Sequence, residues 1–297
     1  MAKSGAVKAT ESGPRAMVTA RRNAWIPHAV LIVGLLVVLF PVYVALVAST
    51  HDLDAILQAP MPLLPGSHIV RNFADAVTAG TAKTSGVSVG RMMFNSLVMD
   101  LTIAAGKIAI SLPSACAVVF FRFPLRKLCF WAIFVTLMLP VEVRITPTYD
   151  VAAHMGIVDR YVGLSLPLIA SATATLLFRQ FFLTIPDELA EAARIDGAGA
   201  MRFFRDVVLP LSRTNIAALF VIMFIYGWNQ YLWPLLVTTQ ESMYTTVIGI
   251  KRMIPGGDAA VAWNLVMATA MLALTPPALV VLLMQRWFVK GLVDTEK

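Results

Sequence analysis

Lys107 and Asp100 are charged residues inside a long apolar stretch, residues 94–121. A charged side chain at the centre of a membrane-spanning helix costs about 2.5–3.5 kcal/mol on insertion scales. The two residues are seven positions apart, so a helix would place both on one face, although direct pairing would need a long reach or a water molecule. Two interpretations stay open. Lys107 stabilises the protein by contact with a partner subunit or by local pairing, or it attracts an anionic solute to a pathway.

Four more polar residues adjoin apolar stretches where they could meet a solute. Glu142 and Arg144 follow Pro140, and a spacing of two residues keeps them off a common helical face. They are candidates for an outer gate or a protein contact, with ion pairs to other segments as the alternative. Asn229 and Gln230 lie among aromatic residues that are typical of a membrane interface. Their amides are candidates for lining a pathway and binding a polyol hydroxyl.

The segment 184–213 is polar and lies between two apolar stretches. Pro186 and the two acidic residues after it favour a helix start, because proline fits the first turn and acids suit the positive end of the helix dipole. Gly197 is expected to end this helix, and Asp196 to cap the helix that follows. The second helix, short and partly apolar, is predicted to end at the dipeptide Leu209-Pro210.

The first helix of this segment carries three alanines, Ala190, Ala192 and Ala193. Small side chains on an exposed helix let the groove of another protein approach its backbone closely. Glu191 adds one charge for a specific pairing at such a contact. From these physical features alone, a plain helical connector is the favoured interpretation and a docking helix is the alternative.

Six stretches are long and apolar enough to cross about 30 Å of hydrocarbon as helices. They are residues 27–49, 94–121, 128–147, 161–183, 214–237 and 262–288. The first exceeds the apolar core of a signal peptide, so we interpret it as a retained anchor. The sequence therefore predicts an all-α, polytopic membrane protein, with a flexible segment at 1–26 before the spans and a tail at 289–297 after them.

Composition and charge distribution agree with this prediction. Hydrophobic residues make up 58% of the chain and charged residues 14%. With the N-terminus in the cytoplasm, the cytoplasmic loops and their flanks carry 16 of the 24 Lys and Arg residues, against seven on the other side. By the positive-inside rule, both termini and the segment 184–213 are predicted to be cytoplasmic. Membrane topology thus explains the net charge of +7, and we expect no nucleic-acid partner.

Residues for several chemistries are missing from the sequence. Cys116 and Cys129 do not form a C-x-x-C motif, and the four histidines include no pair at helical metal-ligand spacing. The dipeptide Gly106-Lys107 lacks the upstream glycine and the following Ser or Thr of a P-loop. We therefore expect no enzyme activity, metal or bound cofactor in this chain. An integral membrane enzyme is the weakest functional alternative.

The pattern of the segment 184–213 resembles the EAA loop of ABC importer permeases. It reads EAA from Glu191, then three residues, Gly197, nine residues, Val207, one residue and Leu209-Pro210, with Val207 where the family usually has isoleucine. The resemblance implies that Glu191–Gly197 is a coupling helix seated in a cleft of a separate ATPase. Residues Glu191, Ala192, Ala193, Asp196, Gly197, Leu209 and Pro210 would then transmit ATPase closure to spans four and five.

Four further segments are similar to the carbohydrate-uptake, MalG-like subfamily of these permeases. They are MLPVEVRITPTYDV (138–151), GLSLPLIASATATLLFRQFF (163–182), IYGWNQYLWPLL (225–236) and QRWFVKGL (285–292). The resemblance implies a type I importer permease fold with six transmembrane helices in the bacterial inner membrane. It covers the chain from about residue 25 to its end and is strongest to the branch that imports sn-glycerol-3-phosphate, with glycerophosphodiesters as further cargo.

The function implied by the resemblance is that of a permease subunit in a binding-protein-dependent importer. Its partners would be a second related permease, two copies of an ATPase subunit that use ATP and Mg²⁺, a periplasmic binding protein and the lipid bilayer. A permease for a neutral sugar or polyol is the alternative cargo assignment. A stand-alone secondary transporter or channel is the alternative class, disfavoured because no inverted repeat is evident.

Overall fold

We describe the protein from a computed structural model, in which residues 25–78, 87–136, 138–254 and 261–293 are described. Every regular element in these ranges is helical, which confirms the predicted all-α class. The segment 1–26 lies almost entirely outside the described residues, as does the end of the tail 289–297.

The helices are named α1 to α14 in chain order. They are α1 (Trp25–Ser49), α2 (Leu53–Leu57), α3 (Ile69–Thr78), α4 (Val89–Phe120), α5 (Arg126–Val135), α6 (Val141–His154), α7 (Tyr161–Leu168), α8 (Ala172–Phe182), α9 (Asp187–Ile195), α10 (Ala200–Leu211), α11 (Arg213–Trp228), α12 (Leu232–Val237), α13 (Thr246–Met253) and α14 (Trp263–Val293). A short 3₁₀ turn at Glu241–Met243 precedes α13.

Three helices in the described ranges are long and apolar enough to cross a membrane by themselves. They are α1, α4 and the part of α14 from Trp263 to Gln285. Two bent pairs, α7 with α8 (46°) and α10 with α11 (73°), raise the number of candidate spans to five if each pair is one span. These positions overlap five of the six predicted apolar stretches, but the fifth, 214–237, is not one helix, because α11 ends at Trp228 and α12 begins at Leu232.

The stretch 128–147 is not the single continuous helix that its composition predicts. Helix α5 ends at Val135, and α6 begins at Val141 with Pro140 as its N-cap residue. Proline lacks an N–H group and disfavours helical geometry in the residue before it, so a helix readily ends there and restarts after it. Composition over a window does not register this interruption.

Helix α4 is the central element of the packing. It packs against α7, α8, α11 and α13, while α14 packs against α11 and α1. Small residues bring helices close to α4: a Cβ at Gly227 would lie 2.8 Å from Asp100 Oδ1, and Gly106 lies directly against Ile169. Such small residues are typical of helix contacts in membranes, where close backbone approach increases van der Waals packing.

Buried polar side chains bind the loops around the N-terminal end of α4. Asn95 Nδ2 donates to the carbonyls of Ser242 (2.8 Å) and Tyr244 (3.0 Å), and the Tyr161 hydroxyl donates to Asn95 Oδ1 at 2.7 Å. The amide of Thr246 donates to Ser96 Oγ at 2.9 Å. These bonds satisfy backbone groups that are cut off from water, and they fix the segment 242–246 on α4.

Asp159 makes a second polar contact at the same end of the molecule. Its carboxylate accepts hydrogen bonds from the amides of Thr239 (2.6 Å) and Gln240 (2.8 Å) and from the Thr239 hydroxyl. Partial burial acts to raise the pKa of Asp159, but the bonds from Gln240 and Thr239 together hold it below the usual aspartate value.

Candidate functional site

The segment 184–213 forms a helix, a tight turn and a second helix, as predicted. Helix α9 begins after Pro186 with two acidic residues in its first turn. Gly197 has φ of +70°, the left-handed conformation that ends a helix and favours glycine. Asp196 is the C-cap residue of α9, and Gly199 is the N-cap residue of α10. The prediction that Asp196 caps the second helix is therefore wrong, because the turn is longer than expected.

Helix α10 does not end at Leu209-Pro210. Its middle, Phe204–Val208, is a π-helical turn, and the helix continues through Leu211 before the bend at Ser212. Pro210 lies at the end of α10, directly after the π-helical turn, where the regular pattern of helical hydrogen bonds is already interrupted. Leu209 and Pro210 therefore belong to the part of α10 that leads directly into α11.

The alanines of α9 are divided between two faces. Ala190 is buried and Ala193 is half-buried, and both pack against the protein's own apolar core. The prediction that all three alanines face a partner is therefore wrong for these two. Ala192 is exposed together with Glu191, and Ile195 near the helix end is 86% exposed.

Two arginines donate to carbonyls at the C-terminal end of α4, and of these Arg194 belongs to the loop and Arg126 to α5. Arg194 of α9 donates from Nη2 to the Phe120 carbonyl at 3.3 Å, and Arg126 donates from Nη1 to the Phe121 carbonyl at 3.4 Å. The last carbonyls of a helix have no partner within the helix and carry the negative end of its dipole. A guanidinium satisfies both needs, so α9 is held on the end of α4.

An aromatic cluster strengthens the same junction. Phe203 of α10 meets Phe120 edge to face, with ring centroids 5.2 Å apart. Phe120 also contacts Phe182 at 5.8 Å, and Phe182 stacks on Phe178 at 6.1 Å. These rings belong to α4, α8 and α10, and burying such residues dominates the energy of a contact. The ring cluster therefore joins the loop to α4 and α8.

A groove of about 230 Å³ lies between α9 and the segment that follows α4. It is lined by Val119, Phe120, Arg122, Arg126, Asp187, Ala190, Glu191 and Arg194. Charges of both signs line the groove. Glu191 is exposed to solvent and also lies near arginines of its own chain.

Exposed residues on α10 extend the surface of the loop. Met201 is 75% exposed. Arg205 donates to Asp206 at 2.7 Å, and this hydrogen bond lowers the pKa of Asp206 below its usual value. Solvent-exposed pairs of this kind add little stability. Sequence reasoning missed Ile195 and Met201, although an apolar residue next to a helix-ending glycine is a usable signal.

The charged residues of the long apolar stretch lie at the contact between α4 and α11. Lys107 is buried, and its Nζ lies 3.6 Å from the centre of the Tyr226 ring. A cation over an aromatic face is attracted by about 2 kcal/mol when shielded from water. Asp100 is fully buried against Gly227, and its two carboxylate oxygens have no hydrogen-bond partner in the described part of the protein. The two side chains are not directly paired there.

The other predicted pathway residues are not gathered into one site. Arg144 is exposed on α6 and lies near enough to Lys107 for their charges to repel. Glu142, two residues before Arg144, is also exposed. Asn229 donates to the Ile225 carbonyl at 2.8 Å and Gln230 to a carbonyl of the same helix at 3.2 Å, so both amides cap the end of α11.

Groups of three His, Cys, Asp or Glu residues placed to hold a metal do not occur in the described ranges. Comparison with known proteins identifies the family. Residues 107–294 match the family described as the inner membrane component of binding-protein-dependent transport systems. The chain belongs to this family. It is therefore a permease of the inner membrane.

Curated relatives of this permease carry a narrower name. It is 61% identical over 272 residues to the sn-glycerol-3-phosphate transport system permease protein UgpE of Brucella melitensis, covering 92% of this chain and 96% of that protein. The UgpE protein of Pectobacterium atrosepticum is 62% identical over 270 residues, covering 91% and 96%.

A solved structure supports the fold. It is the crystal structure of a bacterial ABC transporter that imports the acidic polysaccharide alginate. The alignment has a TM-score of 0.76 and 18% identity, covering 91% of the permease and 98% of the matched chain. At this identity, the likeness shows the fold alone.

Proposed function

We propose that this permease is a membrane subunit of an ATP-driven importer for sn-glycerol-3-phosphate and glycerophosphodiesters. Its coupling element is α9 with the turn at Gly197, residues Glu191–Gly197. The observation that carries the proposal is the seating of α9: one face is held on the end of α4, and the other presents Glu191, Ala192 and Ile195 to solvent. The names of relatives about 60% identical support the cargo.

In the proposed mechanism, an ATPase subunit takes the exposed face of α9 into a cleft. When the ATPase dimer closes, α9 moves as a rigid body because it is one continuous helix of nine residues. The bond from Arg194 and the ring of Phe203 pass this movement to Phe120 at the end of α4. The bend between α10 and α11 carries it into the following span.

The partners of this assembly are a second related permease, two copies of the ATPase and a periplasmic binding protein. ATP and Mg²⁺ belong to the ATPase subunits, since this sequence has no P-loop. An alternating-access cycle of this type requires the two permeases to rock against each other around a shared pathway.

We also propose six transmembrane crossings with both termini in the cytoplasm. Helices α5 and α6 supply the third crossing as a pair interrupted at Pro140, in addition to the five candidates described above. The excess of Lys and Arg on the loop side supports this topology.

Copurification tests the coupling proposal. The full complex is expressed with a tagged ATPase, and the permease carries Glu191→Arg or Gly197→Asp. We expect either substitution to reduce recovery of the permease with the ATPase, because the first reverses the charge of the exposed face and the second strains the turn. Glu142→Arg, an equal charge reversal away from α9, is the control and should copurify normally. Full recovery of both α9 variants would contradict the proposal.

Uptake by the reconstituted complex tests the cargo. The complex is reconstituted in proteoliposomes, and the binding protein is added on the outside. The solute supplied is sn-glycerol-3-phosphate, a disaccharide or a neutral polyol. We expect ATP-dependent uptake of the phosphate ester. Uptake of only the neutral solutes would replace this cargo, and uptake without ATP would favour a stand-alone transporter.

A further inference from the structure

Lys107 and Arg144 are two positive charges that act on each other across two helices. Lys107 lies on α4 and Arg144 on α6, and their charges repel. In the ranges that the structure describes, neither makes an ion pair with a carboxylate. Two like charges repel each other, and a bound anion would relieve this repulsion.

One buried apolar cluster contains residues of α4 near Lys107, and residues of α6 near Arg144 pack against it. Ile145 and Tyr149 of α6 pack against the buried cluster that contains Met99 and Ile103 of α4. Ile103 lies one helical turn before Lys107, and Ile145 directly follows Arg144. A residue one turn from Lys107 and the residue next to Arg144 therefore meet in the same packed cluster.

Tyr226 adds a third group that can bind an anion. Its ring lies over Lys107, while the residue as a whole is 39% exposed. Lys107 itself is only 5% exposed, so the Tyr226 ring covers it. The phenol oxygen can donate a hydrogen bond, and a guanidinium can bind two phosphate oxygens at once.

We propose that Lys107, Arg144 and Tyr226 form an anion site that receives the phosphate group of the cargo on its way through the permease. The inference rests on the proposed function, because it takes a phosphate ester as cargo. A phosphate monoester carries close to two negative charges at neutral pH, which matches the two cations. The site determines specificity for charge, and it leaves recognition of the glycerol part to other groups.

Asp100 provides the competing explanation for Lys107. Its carboxylate lies two helical turns from Lys107 on the same face of α4 and has no partner in the described residues. If Lys107 only compensated this charge, then removing both charges together would restore transport. The double substitution therefore separates the two explanations.

The test uses the complete complex in proteoliposomes, with radiolabelled sn-glycerol-3-phosphate and loaded binding protein. Uptake and ATP hydrolysis are measured together for Lys107→Met, Lys107→Arg, Arg144→Gln and Asp100→Asn/Lys107→Met. We expect Lys107→Met and Arg144→Gln each to lower the phosphate ester transported per ATP about tenfold, the effect of losing one charge-assisted contact. Lys107→Arg should keep most of the transport, and the double substitution should not restore it.

Matched controls are available on α13. Arg252 lies over the Tyr244 ring at 5.5 Å, a cation over a tyrosine like Lys107, but it is exposed. Arg252→Gln and the neighbouring Lys251→Met repeat the two substitutions outside the site and should leave transport per ATP unchanged.

Three results would overturn the anion site. They are unchanged transport in Lys107→Met and Arg144→Gln, recovery in the double substitution, and an equal fall of uptake and ATP hydrolysis that Lys107→Arg does not rescue. Absence of sn-glycerol-3-phosphate uptake by the unsubstituted complex would contradict the proposed function instead. The two failures are therefore distinguishable.

Discussion

The two ends of α4 are fastened by different kinds of contact. At its N-terminal end, buried side chains such as Asn95 bind the backbone of a distant loop through several short hydrogen bonds. At its C-terminal end, α9 and α10 are held mainly by aromatic packing around Phe120, with one longer bond from Arg194.

We infer from this difference that the N-terminal end of α4 is fixed and that the contacts at its C-terminal end can move. Hydrogen bonds are directional, and a small displacement leaves buried groups unpaired at a high cost. Apolar packing is non-directional, so rings can slide and repack at a smaller cost. We infer that the N-terminal end of α4 holds its loops rigidly, while the loop end can shift as a unit when it is pushed.

The largest effect is expected from Asn95→Leu, which removes the amide of the fixed end. Two carbonyls and the Tyr161 hydroxyl would lose their partner, at a total cost of about 4 kcal/mol. The measurement is the melting temperature of the purified permease in detergent. Asn229→Ala is the control, since its amide caps only an exposed helix end. Equal melting temperatures of the two variants would contradict the proposal that Asn95 fixes the N-terminal end of α4.

The next effect is expected from Phe203→Ala at the movable end. Phe203 is buried between α9 and the end of α4, so its loss should cost about 3 kcal/mol in stability. Coupling should suffer as well, seen as less transport per ATP in the reconstituted complex. Met201→Ala removes a residue of α10 that is 75% exposed and should leave the melting temperature unchanged. Normal coupling in Phe203→Ala would show that the ring cluster transmits no movement.

A smaller effect is expected from Gly197→Ala. The glycine has φ of +70° and open space around its missing Cβ, so the penalty of about 1 kcal/mol is conformational and not steric. Gly199→Ala is a matched control, because its φ is −69° and its surroundings are equally open. The comparison is made by melting temperature and ATPase copurification. Equal behaviour of both variants would mean that the turn is not held in this conformation.

The smallest effect is expected from lowering the pH until the Asp159 carboxylate is protonated. Its pKa is lowered in the folded protein, so its contribution to stability is present above the unfolded value of 3.8 and is lost as pH falls through the folded value. The melting difference between the unsubstituted protein and Asp159→Asn should therefore be constant near pH 7 and shrink below about pH 4. A difference that does not depend on pH would show that Asp159 acts without its charge.

Sequence reasoning predicted the elements with the strongest local signals. The start of α9 after Pro186 and its end at Gly197 are confirmed, because helix dipole, proline and glycine preferences act within a few residues. It missed the break at Pro140 and the continuation of α10 past Pro210, although both involve the same residue type. One proline lies where a helix restarts and the other directly after a π-helical turn, and composition does not distinguish these settings.

The sequence by itself determined that this protein is all-helical with membrane-length apolar stretches, and that α9 begins after Pro186 and ends at Gly197. Length, apolar content and the spacing of local signals are properties of the chain before it folds. Only the tertiary structure decided that Ala190 and Ala193 face inward, and that Lys107 meets Tyr226 and not Asp100. The physical reason is that a side chain's partner depends on how two helices cross, and that crossing is set by packing over the whole interface.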